Sequence, residues 1–217
     1  VTRPCIAILG GSFDPVHCGH LALADYCVKL FNPDVLRIVP AGQPWQKSSL
    51  NASPEHRLAM LERAFADFSA PVLIDRQEIE RSGNSYTVDT LHAIRAEAGP
   101  DAALVFFMGA DQLKGLHTWH RWRDLFAYSH VCAVSRPGFD VGLSSVPKDV
   151  ADEFMLRLSS PESMHGMPCG SACLAPDLHA DVSSTLIRNS FRQGIRPSAL
   201  VPSTVLDYIE QHHLYQN

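Results

Sequence analysis

The sequence lacks any run approaching the roughly 18 consecutive apolar residues that a membrane-spanning helix needs, so no role within a bilayer is expected. It also lacks an excess of positive charge: 18 Lys and Arg stand against 23 Asp and Glu, a net charge of −5. A chain of that balance is not built as a whole to bind nucleic acid, and an anionic ligand has to be held by local cations. Val1 to Gly10 hold one basic residue and only a short apolar run, which reads as a first strand and not as a secretory signal. Cysteines are few, at 5, 18, 27, 132, 169 and 173, and four of them fall in apolar or helical stretches where a free thiol acts as a small core residue. Cys169 and Cys173, four apart near His165, lack a fourth ligand at zinc-site spacing and read as two thiols in a loop. Reduced, cytoplasmic thiols are the expectation, and no residue is assigned to a protein-held metal.

What is present is an ordinary globular mix, 46% hydrophobic and 19% charged, in a 217-residue chain long enough for a proper core. Apolar runs alternate with amphipathic stretches. Strands are expected at Cys5–Leu9, Val35–Val39, Val72–Asp75, Ala103–Met108 and His130–Ser135. Helices are expected at His17–Leu30, with Leu21, Ala24 and Val28 on its buried face, from Ser53-Pro54 to Phe68, at Tyr86–Ala98, Trp119–Tyr128, Lys148–Arg157, Ser183–Arg192 and Pro202–His212. Ser53 is an N-cap type and Pro54 suits the first helical position. The stretch from Phe139 to Ala180, apart from its one helix, reads as a Ser/Pro/Gly/Met-rich loop. Alternating strands and helices predict an α/β fold, a doubly wound parallel sheet with helices on both faces. With no internal repeat and no linker, residues 1–217 read as one domain. Ligands of such sheets bind beyond the carboxyl ends of the strands, where strand order reverses.

The chemistry concentrates in Gly10-Gly11-Ser12-Phe13-Asp14-Pro15-Val16-His17-Cys18-Gly19-His20, between the first strand and the first helix. Gly10 and Gly11 let backbone approach a ligand closely. A helix start offers free amides and the positive end of a dipole, which suit phosphate. His17 and His20, three apart, share a face of the first turn and can both donate to phosphate oxygens. Gly19 between them leaves room for a flat ring or a ribose. As metal ligands the pair has no acidic partner at zincin spacing. Far downstream, Val182-Ser183-Ser184-Thr185-Leu186-Ile187-Arg188 is a second helix start, with N-cap residue types and a guanidinium one turn on.

These residues resemble the signature of the nucleotidylyltransferase superfamily, whose members share a Rossmann-like fold; the second stretch is similar to its I-S-S-T-x-I-R motif. Over nearly the whole chain the likeness is to the bacterial nicotinate mononucleotide adenylyltransferase family. Gly83 through Leu91 is similar to that family's S-Y-T-x-D-T-L, Phe107 through Leu113 to its G-A-D-x-L, and Trp119-His120-Arg121-Trp122 to its W-x-x-W block. The tail from Leu200-Val201-Pro202 to His213-Leu214-Tyr215 also matches. Two departures stand out. The loop Gln43-Pro44-Trp45-Gln46-Lys47 keeps the family's basic residue but not its His, and the 139–180 segment is longer than expected.

The resemblance implies an enzyme with ATP and nicotinic acid mononucleotide as partners, no nucleic acid and no membrane; a homo-oligomer is left open. It implies transfer of AMP to the mononucleotide in NAD biosynthesis. His17, His20 and Arg188 are the expected catalytic residues, with His20 nearest the transferring phosphoryl group. Gly10, Gly11, Ser12, Phe13, Gly19, Lys47, Gly109, Asp111, Ser184 and Thr185 are expected at ATP, with the Ser12 and Phe13 amides on phosphate and Asp111 on a ribose hydroxyl. Trp119, taken to open its helix, is the expected platform for the pyridine ring, with Tyr86 and Thr87 near its carboxylate; Trp122 reads as core. Mg²⁺ is expected as cofactor, carried mainly by the ATP phosphates. Two rival readings are a pantetheine-phosphate adenylyltransferase, which lacks the Trp119–Trp122 block, and a nucleotide-sensing module without turnover, which would be expected to lose a catalytic His or Arg.

Overall fold

A computed structural model describes residues 3–42, 50–135, 143–175 and 182–216. Its strands are β1 (Cys5–Gly11), β2 (Val35–Pro40), β3 (Val72–Ile74), β4 (Ala103–Gly109), β5 (His130–Val134) and β6 (Ala172–Ala175). The helices are α1 (Cys18–Phe31), α2 (Pro54–Ala64), α3 (Gln77–Glu80), α4 (Thr87–Ala98), α5 (Leu125–Tyr128), α6 (Lys148–Arg157), α7 (Pro161–Met164), α8 (Ser184–Arg192) and α9 (Ser203–Gln211). The strands form one sheet in the order β3-β2-β1-β4-β5-β6, and every pairing is parallel. Strand order therefore reverses between β1 and β4. Their carboxyl ends, Gly10-Gly11 and Met108-Gly109, frame the crevice where such sheets bind ligands.

The central strands read as continuous apolar runs because both of their faces are covered. Alternate residues of β1 and β4 feed opposite cores. Cys5, Ala7 and Leu9, with Ala103, Val105 and Phe107, pack against α1, α2, α8 and α9. Ile8, with Leu104, Phe106 and Met108, packs against α4, α6 and the 3₁₀ stretch Ala110–Thr118. This is a Rossmann-like doubly wound fold, with helices on both faces of the sheet.

Several details differ from the sequence reading. β6 lies in the segment read as a loop, where Ser, Pro, Gly and Met residues on either side mask its short apolar run, and it sets Cys173 opposite Cys132 as a buried strand residue. The buried stripe of α1 is Leu23, Ala24, Cys27 and Phe31, while Leu21 and Val28 sit at its margin. α2 stops at Ala64, although Ser53 caps it and Pro54 opens it as expected. The expected Trp119–Tyr128 helix is broken: Trp119 closes the 3₁₀ stretch Ala110–Thr118, Arg121 takes a left-handed φ of 50°, and regular helix begins only at Leu125.

Candidate active site

The first motif occupies the crevice. β1 ends at Gly11, whose carbonyl accepts the Ala41 amide at 2.8 Å. A Cβ on Gly11 would lie 3.0 Å from the Phe13 ring, so a side chain there would press on the ring folded beneath the loop. Phe13 is fully buried, with φ 47°, and its ring meets His20 edge-on at 4.8 Å. The Phe13 side chain is thus a support under the loop, and only its backbone is in a position to meet a ligand.

His17 is the N-cap of α1 and is almost wholly buried. The two imidazoles stack, with centroids 3.7 Å apart. The His17 amide donates to Nδ1 of His20 at 3.2 Å. An Nδ1 that accepts leaves the ring proton on Nε2, which makes Nε2 a donor. A Cβ on Gly19 would come within 3.1 Å of the His17 ring and 3.2 Å of Val182, so this glycine lets the His17 ring and Val182 close in and does not leave an open gap.

Two clefts meet at this point. The smaller, about 280 Å³, is lined by Ser12, Asp14, His17, His20, Asn51, Thr185 and Arg188 among others. α8 presents its N-terminus here: Ser183 caps it by accepting the Leu186 amide at 3.2 Å, and Ser184 and Thr185 follow. Ser184 donates its hydroxyl to the Pro15 carbonyl at 3.1 Å. Arg188 donates to the Asp14 carbonyl at 2.7 Å and to the Thr185 hydroxyl at 3.1 Å. The two distant motifs are thereby stapled together around one polar cavity.

The larger cleft, about 400 Å³, runs along the carboxyl ends of β1 and β4. Its lining includes Gly10, Gly11, Ser12, His20, Gly109 and Asp111, together with Glu78, Ser85, Thr87, Thr90 and Trp119. Asp111 folds back over Gly109, where any side chain would collide with its carboxylate. Trp119 is half-buried and faces the cleft, whereas Trp122 is core. Tyr86 is the N-cap of α4; its ring lies on His120 at 4.5 Å, beside the cleft. Among the described residues, Ser12 and His20 alone line both clefts. Lys47 lies outside the described residues.

Four contributors carried no role in the sequence reading. Asp14 is a buried hub: one carboxylate oxygen accepts the Asn51 amide at 2.7 Å, the other the Ala52 amide at 3.0 Å and the Tyr215 hydroxyl at 2.8 Å. Burial and Asp14 push the Tyr215 phenol far above its usual range, which keeps it a donor. Arg57 lies beneath the loop. Ser85 is buried in the larger cleft, with a hydroxyl that has no hydrogen-bond partner. Glu78, raised in pKa by burial, accepts the Thr90 hydroxyl at 2.7 Å. The Asp-Pro within the motif was the available signal for Asp14 and the S-Y-T-x-D-T-L-like stretch the signal for Ser85; Arg57 and Glu78 sit in stretches with no motif of their own.

The cytidylyltransferase-like family model matches residues 8–190. A Herminiimonas arsenicoxydans protein named "Probable nicotinate-nucleotide adenylyltransferase" is 55% identical over 217 residues, covering 100% of this chain and 99% of its own. A Dechloromonas aromatica protein of the same name is 39% identical over 213 residues, 98% of each chain. The chain belongs to the nicotinate-nucleotide adenylyltransferase family. Its fold matches a solved Plasmodium falciparum nicotinic acid mononucleotide adenylyltransferase complexed with NaAD, at a TM-score of 0.75 and 19% identity over 98% of both chains. Among the described residues of this family member, no group of three His, Cys, Asp or Glu could hold a metal, and no helix is long and apolar enough to cross a membrane. All six cysteines are free thiols.

Proposed function

We propose that this chain transfers the AMP moiety of ATP to nicotinic acid mononucleotide, forming nicotinic acid adenine dinucleotide and releasing pyrophosphate. The observation that carries the reading is the position of His20, which lines both the polar cleft at the start of α8 and the larger cleft that also includes Trp119. A phosphate oxygen of the mononucleotide attacks the α-phosphorus of ATP. The new P–O bond forms as the bond from that phosphorus to the bridging oxygen breaks, and pyrophosphate departs with the electron pair. The nucleophile is already an anion, so no general base is required, and catalysis rests on alignment and on stabilising charge as it moves to the leaving group.

Each residue then has a task. Nε2–H of His20 points its proton at the transferring phosphoryl group. His17, held deeper, backs that ring. The α8 N-terminus with Thr185 and Arg188 binds the β and γ phosphates. Asp111 takes a ribose hydroxyl. Mg²⁺ fits as an ion held by phosphate oxygens and water, because the buried Asp14 carboxylate is already occupied by protein donors. Arg188→Ala is expected to weaken ATP and pyrophosphate binding by about tenfold to a hundredfold, the worth of a lost charge-assisted contact, with the mononucleotide little affected. Titration with each ligand separately checks this, and a loss confined to the mononucleotide would place the clamp at the wrong end.

In the larger cleft, Trp119 and the start of α4 suit the pyridine ring. The first amides of α4 and the spare Ser85 hydroxyl are donors on hand for its carboxylate. Among the described residues two carboxylates line this cleft: Asp111, assigned to the ribose, and Glu78, to which Thr90 already donates. An amide in place of the acid turns its NH₂ toward those donors, at a cost of about 1–3 kcal/mol per mismatched group. The acid is therefore expected to have a kcat/KM about ten to a hundred times that of its amide. Pyrophosphate release with the acid, the amide and phosphopantetheine as acceptors tests the reading. Equal rates for acid and amide would remove the specificity, and release with phosphopantetheine alone would remove the assignment.

A further inference from the structure

Arg57 is the largest fully buried side chain among the described residues. It forms no ion pair there. Its Nη1 donates to the Ser12 carbonyl at 2.9 Å, while Nε and Nη2 are buried without a hydrogen-bond partner. Burial works against its charge, and the Asp14 carboxylate is the first of the groups that support it. A guanidinium with two idle donors is an expensive way to fill a core, where an apolar side chain of similar volume is often as stable or more so. Its location suggests what it does instead.

The motif carbonyls are taken up by protein donors one after another. Gly11 gives its carbonyl to the Ala41 amide, Ser12 to Arg57 and Asp14 to Arg188. In a planar trans peptide the N–H points opposite to the C=O. Drawing the Ser12 carbonyl down to Arg57 therefore turns the Phe13 N–H up, away from the core. The two arginines grip the carbonyls on either side of Phe13, which helps hold that residue at its left-handed φ of 47°. A cation on the carbonyl also polarises the peptide and strengthens its N–H as a donor.

We infer that Arg57 is a positioning residue for the triphosphate: from beneath the loop it holds the Ser12–Phe13 peptide with its N–H aimed into the cavity lined by Ser12, His17, His20 and Arg188. It touches no substrate. The inference rests on the proposal that this chain uses ATP, and it extends the phosphate machinery from the two motifs to a residue of α2.

The test is calorimetric titration of the full-length protein with MgATP alone and with nicotinic acid mononucleotide alone, for wild type, Arg57→Met and Arg57→Lys, with a thermal melt of each. Arg57→Met keeps the volume and is expected to bind ATP about tenfold more weakly, the scale of one lost charge-assisted hydrogen bond. Its mononucleotide affinity stays within about twofold and its melting temperature stays close to that of wild type. Arg57→Lys, which keeps one cationic donor, recovers part of the loss. ATP affinity of Arg57→Met within about twofold of wild type overturns the role. So does an equal fall for both ligands accompanied by a collapsed melt, which marks a core residue only. Should Arg57→Met fail to fold, Arg57→Lys decides: ATP binding weakened selectively supports the role, and ATP binding unchanged overturns it. Wild type that binds no ATP would overturn the ATP reading itself, and this inference with it.

Discussion

His20→Ala is expected to lower turnover by about two to three orders of magnitude, the cost of removing one donor aimed at developing charge, about 3–4 kcal/mol. The fold should persist. His20 is only half-buried, and its ring is held from outside the core by the His17 amide, the His17 ring and the edge of Phe13. Of these only the Phe13 edge is apolar, and Phe13 stays packed in the core without it. The His17 amide acts as a positional lock: by donating to Nδ1 it leaves the proton on Nε2 and orients the ring toward the shared boundary of the clefts. An Asn or Gln at position 20, which offers a donor with less exact placement, should restore part of the rate. Single-turnover formation of pyrophosphate separates the chemical step from product release and is the measurement of choice. Turnover of His20→Ala within about threefold of wild type would be too small a loss for such a donor and would remove His20 from the mechanism.

Asp14→Asn should produce the largest loss of stability among single substitutions at this site, about 3–5 kcal/mol. The carboxylate is 2% exposed and accepts from two backbone amides and a buried phenol. An Asn side chain must turn its NH₂ toward at least one of those donors, which leaves two donors facing each other in the core. It also removes the negative charge that offsets Arg57. Tyr215→Phe serves as the comparison: it deletes one hydrogen bond and should cost only about 1–2 kcal/mol. Urea unfolding of the three proteins checks the ranking through the shift in midpoint. A midpoint for Asp14→Asn equal to that of Tyr215→Phe would show that the hub is worth no more than its phenol contact.

Residues that act together through local geometry were legible in the sequence. His17 and His20 share a face because a helix puts residues three apart on one side, and Ser183 caps α8 because its hydroxyl reaches an amide three residues on. The parallel sheet followed from alternating apolar runs, since a strand covered on both faces has no polar side to show. β6 escaped because Ala172-Cys173-Leu174-Ala175 is embedded in a Ser/Pro/Gly/Met-rich stretch whose composition reads as loop. Trp119 was placed at the wrong end of its element because a 3₁₀ stretch and a left-handed Arg121 interrupt what the composition reads as one helix. The connections that make the site were beyond any local signal. Tyr215 reaches Asp14 across 201 positions, Arg188 reaches the Asp14 carbonyl across 174, and Ser184 reaches Pro15 across 169. A hydrogen bond between such partners depends on how the crossovers carry the chain across the sheet, and each residue alone carries no sign of its partner. The sequence by itself determined which two helix starts carry the capping residues and free amides that suit an anion. Only the tertiary structure decided that they face one another across one cavity, with a buried arginine beneath them.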